Sequence, residues 1–339
     1  MKIAQVAPLY ASVPPEAYGG TERVVSYLTE ELVRQGHEVT LFASGDSTTS
    51  ARLVSPCPQS LRAQTHERVM GHYAHMLSQV IQASASFDVI HFHIDFLHFP
   101  LLVQLKKPQL TTFHFRLDIP DLAPLFEEIR HQPVASISDA QRAPVPRLNW
   151  QATVYHGLPD ELYAFHGRAG SYLAFLGRLC PEKGVDRAIE IARLTGMEIK
   201  VAGRVGPEEQ EYFQHVVEPL LEDPRVDFVG EVRYHEIGDF LGGAYAVLFP
   251  IDWPEPFGLV MIEAMACGTP TIAYRRGSVE EVIEDGVTGF IVDDLEDAVA
   301  AVERVSSLSR KRCRQVFEDR FTASRMAQDY LAIYQRLVS

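Results

Sequence analysis

The sequence predicts an α/β protein built from two doubly wound parallel-sheet domains. Its 339 residues exceed what one hydrophobic core usually serves, and short apolar strands alternate with helices in two successive blocks. A stretch punctuated by glycine and proline, residues 157–170, separates the blocks and predicts a linker. Because ligands of such sheets bind beyond the carboxyl ends of the strands, we expect the two domains to face each other across a cleft that holds the site.

The first block opens with a strand at residues 3–7, a long loop rich in proline and glycine, and a helix from about Glu22 that ends at Gly36. A strand follows this helix, and the order strand, loop, helix, strand is that of a parallel-sheet unit. The block predicts an amino-terminal domain over residues 1–160, with further strands at residues 39–43, 88–93, 109–113, 134–138 and 153–155.

The second block repeats this logic and predicts a carboxyl-terminal domain over residues 168–320. It starts with a strand at residues 172–176 and a helix at residues 185–194 that Gly196 ends. Later elements are predicted at residues 199–202 (strand), 208–221 (helix), 226–229 and 246–249 (strands), 258–266 (helix), 271–274 (strand), 279–284 (helix) and 290–292 (strand). A closing helix over about 322–339 has apolar residues at helical spacing, so we expect one face to pack on the body of the protein.

Composition excludes several classes of protein. The net charge is −14, so no whole-chain positive field attracts nucleic acid or anionic lipid. The four cysteines form no CxxC pair, which speaks against a disulfide framework or a thiolate metal site. With no signal-peptide pattern and no run long enough to span a bilayer, we expect a cytoplasmic protein, with at most peripheral contact at the inner membrane face. The oligomeric state stays open.

The most informative segment, residues 250–263, ends a strand and opens a helix. Gly258 lets the backbone approach a ligand, and the free N–H groups of a helix N-terminus favour phosphate. Glu255 and Glu263 flank this point and could accept hydrogen bonds from hydroxyl groups on either side of a diphosphate. We therefore predict that residues 255, 257–260 and 263 bind a nucleotide-sugar donor. The alternative is that Glu255 is a solvated loop residue and Glu263 a surface helix position.

Two further loops carry candidate ligands. Arg178 and Lys183 lie between the second domain's first strand and its helix, where two cations can clamp a diphosphate. Gly19 and Gly20 end the first long loop, where their backbone could approach a phosphate or an acceptor. Solvated cations and a simple turn glycine pair are the alternatives. The lack of a GxGxxG pattern argues against a dinucleotide-binding dehydrogenase.

The chain resembles the family-4 retaining glycosyltransferases through landmarks that follow the family's order along nearly the whole sequence. The segment from Glu255 to Glu263 looks like the family's E-x7-E signature, and its continuation, residues 264–270, also matches. Further matches are Tyr18-Gly19-Gly20-Thr21-Glu22-Arg23, His114, the run from Gly177 to Gly184, and the run from Glu281 to Gly289. His156-Gly157 and the residues 277–280 depart from the usual family pattern.

The resemblance implies two Rossmann-like domains in the GT-B arrangement, with the closing helix crossing back to the first domain. It implies transfer of a hexose from a nucleotide diphosphate, with UDP preferred, to a sugar, glycan or lipid-linked acceptor in polysaccharide or glycoconjugate synthesis. The resemblance also implies that the configuration at the anomeric carbon is retained and that the reaction needs no metal ion or other cofactor. In the family, the residues that match Arg178 and Lys183 bind the donor pyrophosphate, the match of Gly20 lies beside the phosphates, and the match of His114 contacts the donor sugar.

A cluster of histidines raises the question of a metal. His91 and His93 share one face of a predicted strand, with Asp95 and His98 close behind. Satisfied buried histidines or acceptor contacts are the favoured interpretation, since no matching ligand group is evident elsewhere, and we predict no metal site. Two alternatives to a glycosyltransferase stay open: a nucleotide-sugar epimerase of the same architecture and a non-catalytic carbohydrate-binding homologue.

Overall fold

The computed structural model describes residues 1–16, 19–62 and 64–339, with residues 103 and 104 described by their backbone alone. Tyr18, part of a predicted donor-loop motif, lies outside the described residues. The chain divides into two compact units, the first from Met1–Gly157 and Ala323–Ser339 and the second from Leu158–Thr322. Each unit is an α/β layer structure around one parallel sheet, as the sequence predicts.

Within the described residues, the first unit contains a seven-stranded sheet in the order β3-β2-β1-β4-β5-β6-β7, and all neighbours run parallel. Its strands are β1 (Lys2–Val6), β2 (Glu38–Phe42), β3 (Arg52–Val54), β4 (Val89–Phe92), β5 (Gln109–Thr112), β6 (Pro133–Ser136) and β7 (Asn149–Thr153). Its helices are α1 (Gly20–Arg34), α2 (His66–Ala83), α3 (Ala123–Glu128), α4 (Asp139–Arg142) and, from the end of the chain, α12 (Ala323–Val338). The central strands are buried on both faces, so they read as near-continuous apolar runs.

Strand register brings the loops of the first unit to one edge. Val6 pairs with both Phe42 and Phe92, and Phe92 pairs with Thr111. The strands β1, β4 and β5 therefore end at nearly the same level. The residues that follow them, including His93 and His114, lie along the carboxyl edge of the sheet, where such folds bind ligands.

The last helix, α12, is a structural part of the first unit. Its residues Met326, Ala327, Ile333 and Tyr334 are almost completely buried, and it packs against α1 and β4. This amphipathic pattern is the one that its sequence predicts.

The second unit has a six-stranded parallel sheet, counted over the residues that the structure describes, in the order β10-β9-β8-β11-β12-β13. Its strands are β8 (Tyr172–Leu176), β9 (Glu198–Ala202), β10 (Val226–Gly230), β11 (Ala246–Phe249), β12 (Thr271–Tyr274) and β13 (Gly289–Val292). Its helices are α5 (Val185–Thr195), α6 (Gln210–Tyr212), α7 (Ile237–Gly242), α8 (Leu259–Cys267), α9 (Val279–Val282), α10 (Leu295–Arg304) and α11 (Arg310–Arg320). The strand order reverses between β8 and β11, the switch point at which doubly wound sheets bind ligands.

Two element predictions were wrong, and two elements were not predicted. The helix predicted at residues 208–221 is broken into a 3-10 turn, the short α6, a π-helical segment (Phe213–Val217) and a second 3-10 turn (Glu218–Glu222). Pro219 has no N–H to continue an α-helix, which explains the change of helix type around it. Strand β7 lies at Asn149–Thr153 instead of 153–155, and its partly exposed residues give no continuous apolar run. Neither β3 nor α2 was predicted.

The stretch predicted as a linker is packed within the second unit from Leu158 onward. Leu158 N–H donates to the Phe321 carbonyl over 2.9 Å, and the side chain of Leu158 is fully buried. The buried guanidinium of Arg310 donates to the His166 carbonyl at 2.6 Å and to the Gly242 carbonyl at 2.7 Å. These bonds fasten the stretch to Arg310 of α11 and to Phe321 just after it, and Arg310 also holds the end of α7, so the stretch is an ordered part of that unit.

No helix in the described ranges is both long and apolar enough to cross a membrane.

Candidate active site

The first loop of the second unit, between β8 and α5, is held in an extended form against its neighbour. Gly177 N–H donates to the Ala202 carbonyl over 3.1 Å, and Leu179 N–H donates to the Arg204 carbonyl over 2.9 Å. Leu179 is buried, so the alternating side chain of Arg178 points away from the core. Arg178 Nη1 donates to Glu209 Oε1 at 2.7 Å. The guanidinium is therefore oriented by a carboxylate on the next loop.

The end of this loop is pressed against the loop that follows β11. Gly184 has φ +69°, and a Cβ at this position would overlap the Pro250 carbonyl oxygen. Asp252 N–H donates to the Glu182 carbonyl over 2.8 Å. Only glycine fits such a close approach in the left-handed region, and its presence brings Lys183 to the β11 loop.

Lys183 and Glu255 form an ion pair at the junction of these two loops. Lys183 Nζ donates to Glu255 Oε2, and the two side chains are only 16% and 9% exposed. Trp253 Nε1 donates to the same oxygen at 2.7 Å, while Lys183 Nζ lies 4.8 Å from the centre of the Trp253 ring. The ammonium thus combines a charged hydrogen bond with a cation–π contact. The alternative of a solvated Glu255 is excluded.

A helix N-terminus follows directly. Gly258 caps α8 with φ +80°, and a Cβ there would lie 2.8 Å from Met261 Cε and 3.0 Å from Phe249 Cζ. The first N–H groups of an α-helix, here those of Leu259 and Val260, have no partner within the helix and face an incoming anion with the positive end of the dipole. The predicted donor-binding residues around Gly258 thus have the backbone geometry of an anion site.

Glu263 lies on α8 and is buried, only 4% exposed, in a helix whose other residues are almost all apolar. The Tyr163 hydroxyl donates to Glu263 Oε1 at 3.4 Å. A surface position for Glu263, the alternative left open by its spacing, is therefore excluded. Burial of a carboxylate is costly without hydrogen-bond donors, so its environment must supply them.

The loop after β12 fixes the backbone of residues 255–258. Ser278 N–H donates to the Glu255 carbonyl over 3.0 Å, and Ser278 Oγ donates to the Phe257 carbonyl at 2.8 Å. Gly277 has φ +55°, and a Cβ there would overlap the backbone of Glu255. Phe257, itself predicted to bind the donor, is 2% exposed and packs edge-on against Phe321. Gly277 and Ser278, which belong to a segment that departs from the family pattern, therefore support the backbone of Glu255 directly.

In the first unit, the structure describes Gly19 and Gly20 at the start of α1. Gly19 caps the helix, and a Cβ there would lie 2.9 Å from the Pro15 side chain, so its lack of a side chain allows close packing. Gly20 is the first helical residue. In the loop that precedes α1, Ala11 N–H donates to Glu22 Oε1 at 3.3 Å. Burial raises the pKa of Glu22.

His114 lies two residues past the end of β5 in a group of closely packed imidazoles. Its Nε2 is 2.9 Å from His93 Nδ1, and its ring stacks on His156 with 5.4 Å between centroids. Burial lowers the pKa of His114 to about 3, so the ring is neutral at physiological pH. Both ring nitrogens of His91 and of His93 have hydrogen-bond partners, among them Tyr334, Thr112 and Gln5. His98 is bonded to Thr111 through Nε2, whereas its buried Nδ1 has no partner among the described residues.

Asp95, at the same edge of the sheet, has an unusual backbone conformation. It follows β4 with φ +55°, a left-handed conformation that is uncommon outside glycine. Its carboxylate accepts the His114 backbone N–H, yet its Oδ1 has no hydrogen-bond partner among the described residues. Burial raises the pKa of Asp95 to about 7. In the sequence, Asp95 stands out only as a polar residue close behind His91 and His93.

Two family models match the chain in succession. The model described as Glycosyltransferase Family 4 matches residues 18–174, and the model described as Glycosyl transferases group 1 matches residues 168–320. The chain belongs to the family-4 glycosyltransferases. This membership confirms the enzyme class, a glycosyltransferase, that the sequence predicts.

Individual relatives of this glycosyltransferase are distant. Spore coat protein SA of Bacillus subtilis is 24% identical over 99% of the chain and 100% of its own length. The D-inositol 3-phosphate glycosyltransferase of Kribbella flavida is 33% identical over 38% of the chain and 34% of that enzyme. An uncharacterized 41.2 kDa protein of the cps region of Klebsiella pneumoniae is 29% identical over 48% of the chain and 46% of its length. The matches thus span less than half of the Kribbella and Klebsiella proteins.

Solved structures agree on the fold of this glycosyltransferase. A glycosyltransferase involved in avilamycin A biosynthesis has a TM-score of 0.79 and 25% identity, covering 100% of this chain and 98% of its own. Sucrose-phosphate synthase from Thermosynechococcus elongatus has a TM-score of 0.83 at 19% identity, covering 99% of each chain. Anabaena HepE in complex with UDP and glucose has a TM-score of 0.76 at 19% identity, over 99% and 100%. The predicted GT-B fold is confirmed.

Gly277 offers a test of the support under Glu255. We expect Gly277→Ala to lower the free energy of unfolding by about 3 kcal/mol, because a Cβ overlaps the Glu255 backbone in addition to the cost of a left-handed alanine. Gly286→Ala is the matched control: its φ is +71° but no atom lies within 4 Å of a Cβ there, so we expect a loss of only about 1 kcal/mol. Urea unfolding of both variants measures the difference, and equal losses would show that the contact does not constrain the loop.

Asp95 predicts a pH-dependent stability difference. Because its pKa of about 7 in the folded state exceeds the unfolded value, the folded state holds the extra proton between about pH 4 and 7, and stability is lost as the pH rises through this interval. Asp95→Asn removes this loss and tolerates the left-handed backbone. We expect the variant to match the native protein near pH 4 and to exceed it by about 2–4 kcal/mol at pH 8 in urea unfolding. Asp121→Asn, at an exposed site, should give no pH-dependent difference.

Proposed function

We propose that this glycosyltransferase moves a hexose from a UDP-sugar to a sugar, glycan or lipid-linked acceptor, with retention at the anomeric carbon and without a metal ion. We propose that the enzyme works in the cytoplasm, with at most peripheral contact at the inner membrane face. There it takes part in the synthesis of a polysaccharide or glycoconjugate.

The observation that carries the proposal is the junction of Lys183, Trp253 and Glu255 beside the N-terminus of α8. It puts a cation, a carboxylate and free helix N–H groups at the switch point of one parallel sheet. A diphosphate needs the cation and the helix N-terminus, and a sugar needs a hydroxyl acceptor such as the carboxylate. A nucleotide sugar needs all of them within a few ångströms.

We assign the roles as follows. Lys183 and Arg178 bind the diphosphate and stabilise the negative charge that builds up on it as the glycosidic bond breaks. Glu255 accepts hydrogen bonds from hydroxyl groups of the donor sugar, and Glu263 from the ribose. The backbone of residues 257–260 and of Gly19 and Gly20 contacts the donor phosphates, and His114 orients the sugar.

The nucleotide choice has two supports, and both come from relatives. Family resemblance favours UDP, and HepE, a protein of the same fold, was solved with UDP and glucose and with UDP-glucose. With retention, the acceptor hydroxyl attacks from the face that the diphosphate leaves. A donor phosphate oxygen takes the acceptor proton, so no protein nucleophile is required, and the cations replace a divalent ion.

Nucleotide titration tests the donor class. We expect UDP to bind more tightly than GDP, ADP or NAD in isothermal titration calorimetry. The Arg178→Ala/Lys183→Ala variant should lose at least thirtyfold in affinity, because each charged hydrogen bond contributes about 1.5–3 kcal/mol. The control is Lys311→Ala/Arg312→Ala, which removes two exposed cations of α11 and should bind UDP normally. Failure of the folded native protein to bind any of the four nucleotides would refute the proposal.

The roles proposed for Glu255 and Glu263 predict that one substitution lowers turnover and the other weakens nucleotide binding. Glu255→Gln should lower the rate of UDP release from UDP-glucose at least a hundredfold while UDP affinity survives, since the lost contacts are to the sugar. Glu263→Gln should instead weaken UDP binding about tenfold or more. Glu303→Gln, at an exposed site on α10, is the control for both. Normal turnover in Glu255→Gln, or unchanged UDP affinity in Glu263→Gln, would contradict the respective role. An isomerised nucleotide sugar without acceptor would instead indicate an epimerase.

A further inference from the structure

A continuous chain of hydrogen bonds crosses the buried polar side chains of the first unit. At one end, His91 Nε2 lies 2.8 Å from Thr112 Oγ1, and His91 Nδ1 lies 2.6 Å from the Tyr334 hydroxyl. Gln5 Nε2 then donates to the Tyr334 hydroxyl at 3.1 Å. Strand β1, strand β4 and helix α12 thus share one network, and Gln5 connects its two halves.

The second half of the network ends at His114. The Gln5 Oε1 atom lies 2.8 Å from His93 Nε2, and His93 Nδ1 lies 2.9 Å from His114 Nε2. An amide oxygen only accepts hydrogen bonds, so His93 carries its proton on Nε2. In a neutral ring the other nitrogen then accepts, and His114 must donate from Nε2.

The rings of this network are neutral. Burial lowers the pKa of His91 and His93 well below the ordinary value. The neighbouring rings add to this effect, His114 on His91, and His91, His114 and His156 on His93. Burial also lowers the pKa of His114 to about 3. Each ring therefore has one donor nitrogen and one acceptor nitrogen. The tautomer of one ring thus determines the tautomer of the ring to which it is hydrogen-bonded.

The outcome at His114 is an acceptor atom without a partner. With the hydrogen on Nε2, His114 Nδ1 has a lone pair, and it is buried with no hydrogen-bond partner among the described residues. The opposite orientation of the Gln5 amide would put an N–H there instead. Orphaned buried N–H groups are rarer than orphaned acceptors, which favours the first arrangement. A buried acceptor without a partner offers a site for a hydrogen-bond donor, such as an ordered water or a ligand hydroxyl.

We propose that Gln5, His93 and Tyr334 are positioning residues that hold His114 in its Nε2–H tautomer, so that Nδ1 accepts a hydrogen bond from a hydroxyl of the donor sugar. The inference rests on the proposed function for its ligand. The inference goes beyond the proposed function because residues hydrogen-bonded to His114, directly or through the network, determine which kind of group the ring can recognise. A ring in this tautomer binds a hydroxyl donor and rejects an acceptor-only group at the same position.

The tautomer can be measured without any activity. In protein labelled with ¹⁵N-histidine, two-bond ¹⁵N–¹H correlation spectra distinguish a protonated ring nitrogen from a bare one, and His114→Gln identifies the signals of His114. We expect Nε2–H in the native protein and a mixture of tautomers in Gln5→Leu and in Tyr334→Phe. Addition of UDP-glucose should shift the His114 Nδ1 signal, whereas UDP alone should not. An Nδ1–H tautomer in the native protein, or equal effects of the two ligands, would overturn the proposal.

Turnover measurements then distinguish a positioning role of His93 from a role in packing alone. His93→Leu should lower the kcat for UDP-glucose hydrolysis at least tenfold with little change in the Kd for UDP, because the lost contact is to the sugar. His93→Asn should retain a third or more of the native kcat, since its amide oxygen can still accept from His114 Nε2. His98→Leu removes another buried histidine of the same unit and should leave kcat unchanged.

The results distinguish the two levels of inference. Normal kcat in His93→Leu would overturn the positioning role while the proposed donor class stands. Absence of UDP binding by the native protein would refute the proposed function, and the lack of any UDP-glucose effect on His114 would then also overturn the sugar contact.

Discussion

The ion pair between Lys183 and Glu255 is the interaction on which the geometry of the second unit's ligand edge depends. It joins the loops that follow β8 and β11, and both partners are largely removed from water. A lone buried charge at either position would be strongly destabilising, so each residue requires the other. The pair can form because two glycines allow the backbone to pack closely: Gly184 approaches Pro250, and Gly277 approaches the Glu255 backbone. The cation and carboxylate are consequently held in position before a ligand arrives, which reduces the ordering cost of binding.

Short-range patterns made much of the second unit predictable. The apolar run of β11, the glycine at 258 and the apolar α8 lie within about twenty consecutive residues, and local chemistry specifies each of them. The supports of the site were not predictable in this way. Glu209 orients Arg178 from a loop 31 positions away, and Gly277 approaches Glu255 from the end of another strand. Such contacts arise from sheet topology, which determines the loops that meet.

The first unit shows the same division. Alternation along the strand predicted at residues 88–93 put His91 and His93 on one face, but Gln5 and Tyr334 are 329 positions apart and no spacing pattern relates them. Helix α2 was readable in principle, because its buried residues Val69, Tyr73, Met76, Leu77 and Val80 recur at helical spacing. Interspersed histidines and Gly71 weaken that pattern. The strained Asp95 had no sequence signal beyond its polarity, since backbone dihedral angles depend on tertiary packing.

The membership of α12 in the first unit has a consequence for how the chain is made. During synthesis the strands β1, β4 and β5 leave the ribosome long before Tyr330 and Tyr334, and the whole second unit is translated between them. Until α12 emerges, Gln5 and His91 lack the hydroxyl that joins them in the finished protein. The strands of both units lie in uninterrupted segments, but only the second unit also has all of its helices in one segment. The unit whose translation begins first is therefore not complete until α12, which follows the whole second unit, has been translated.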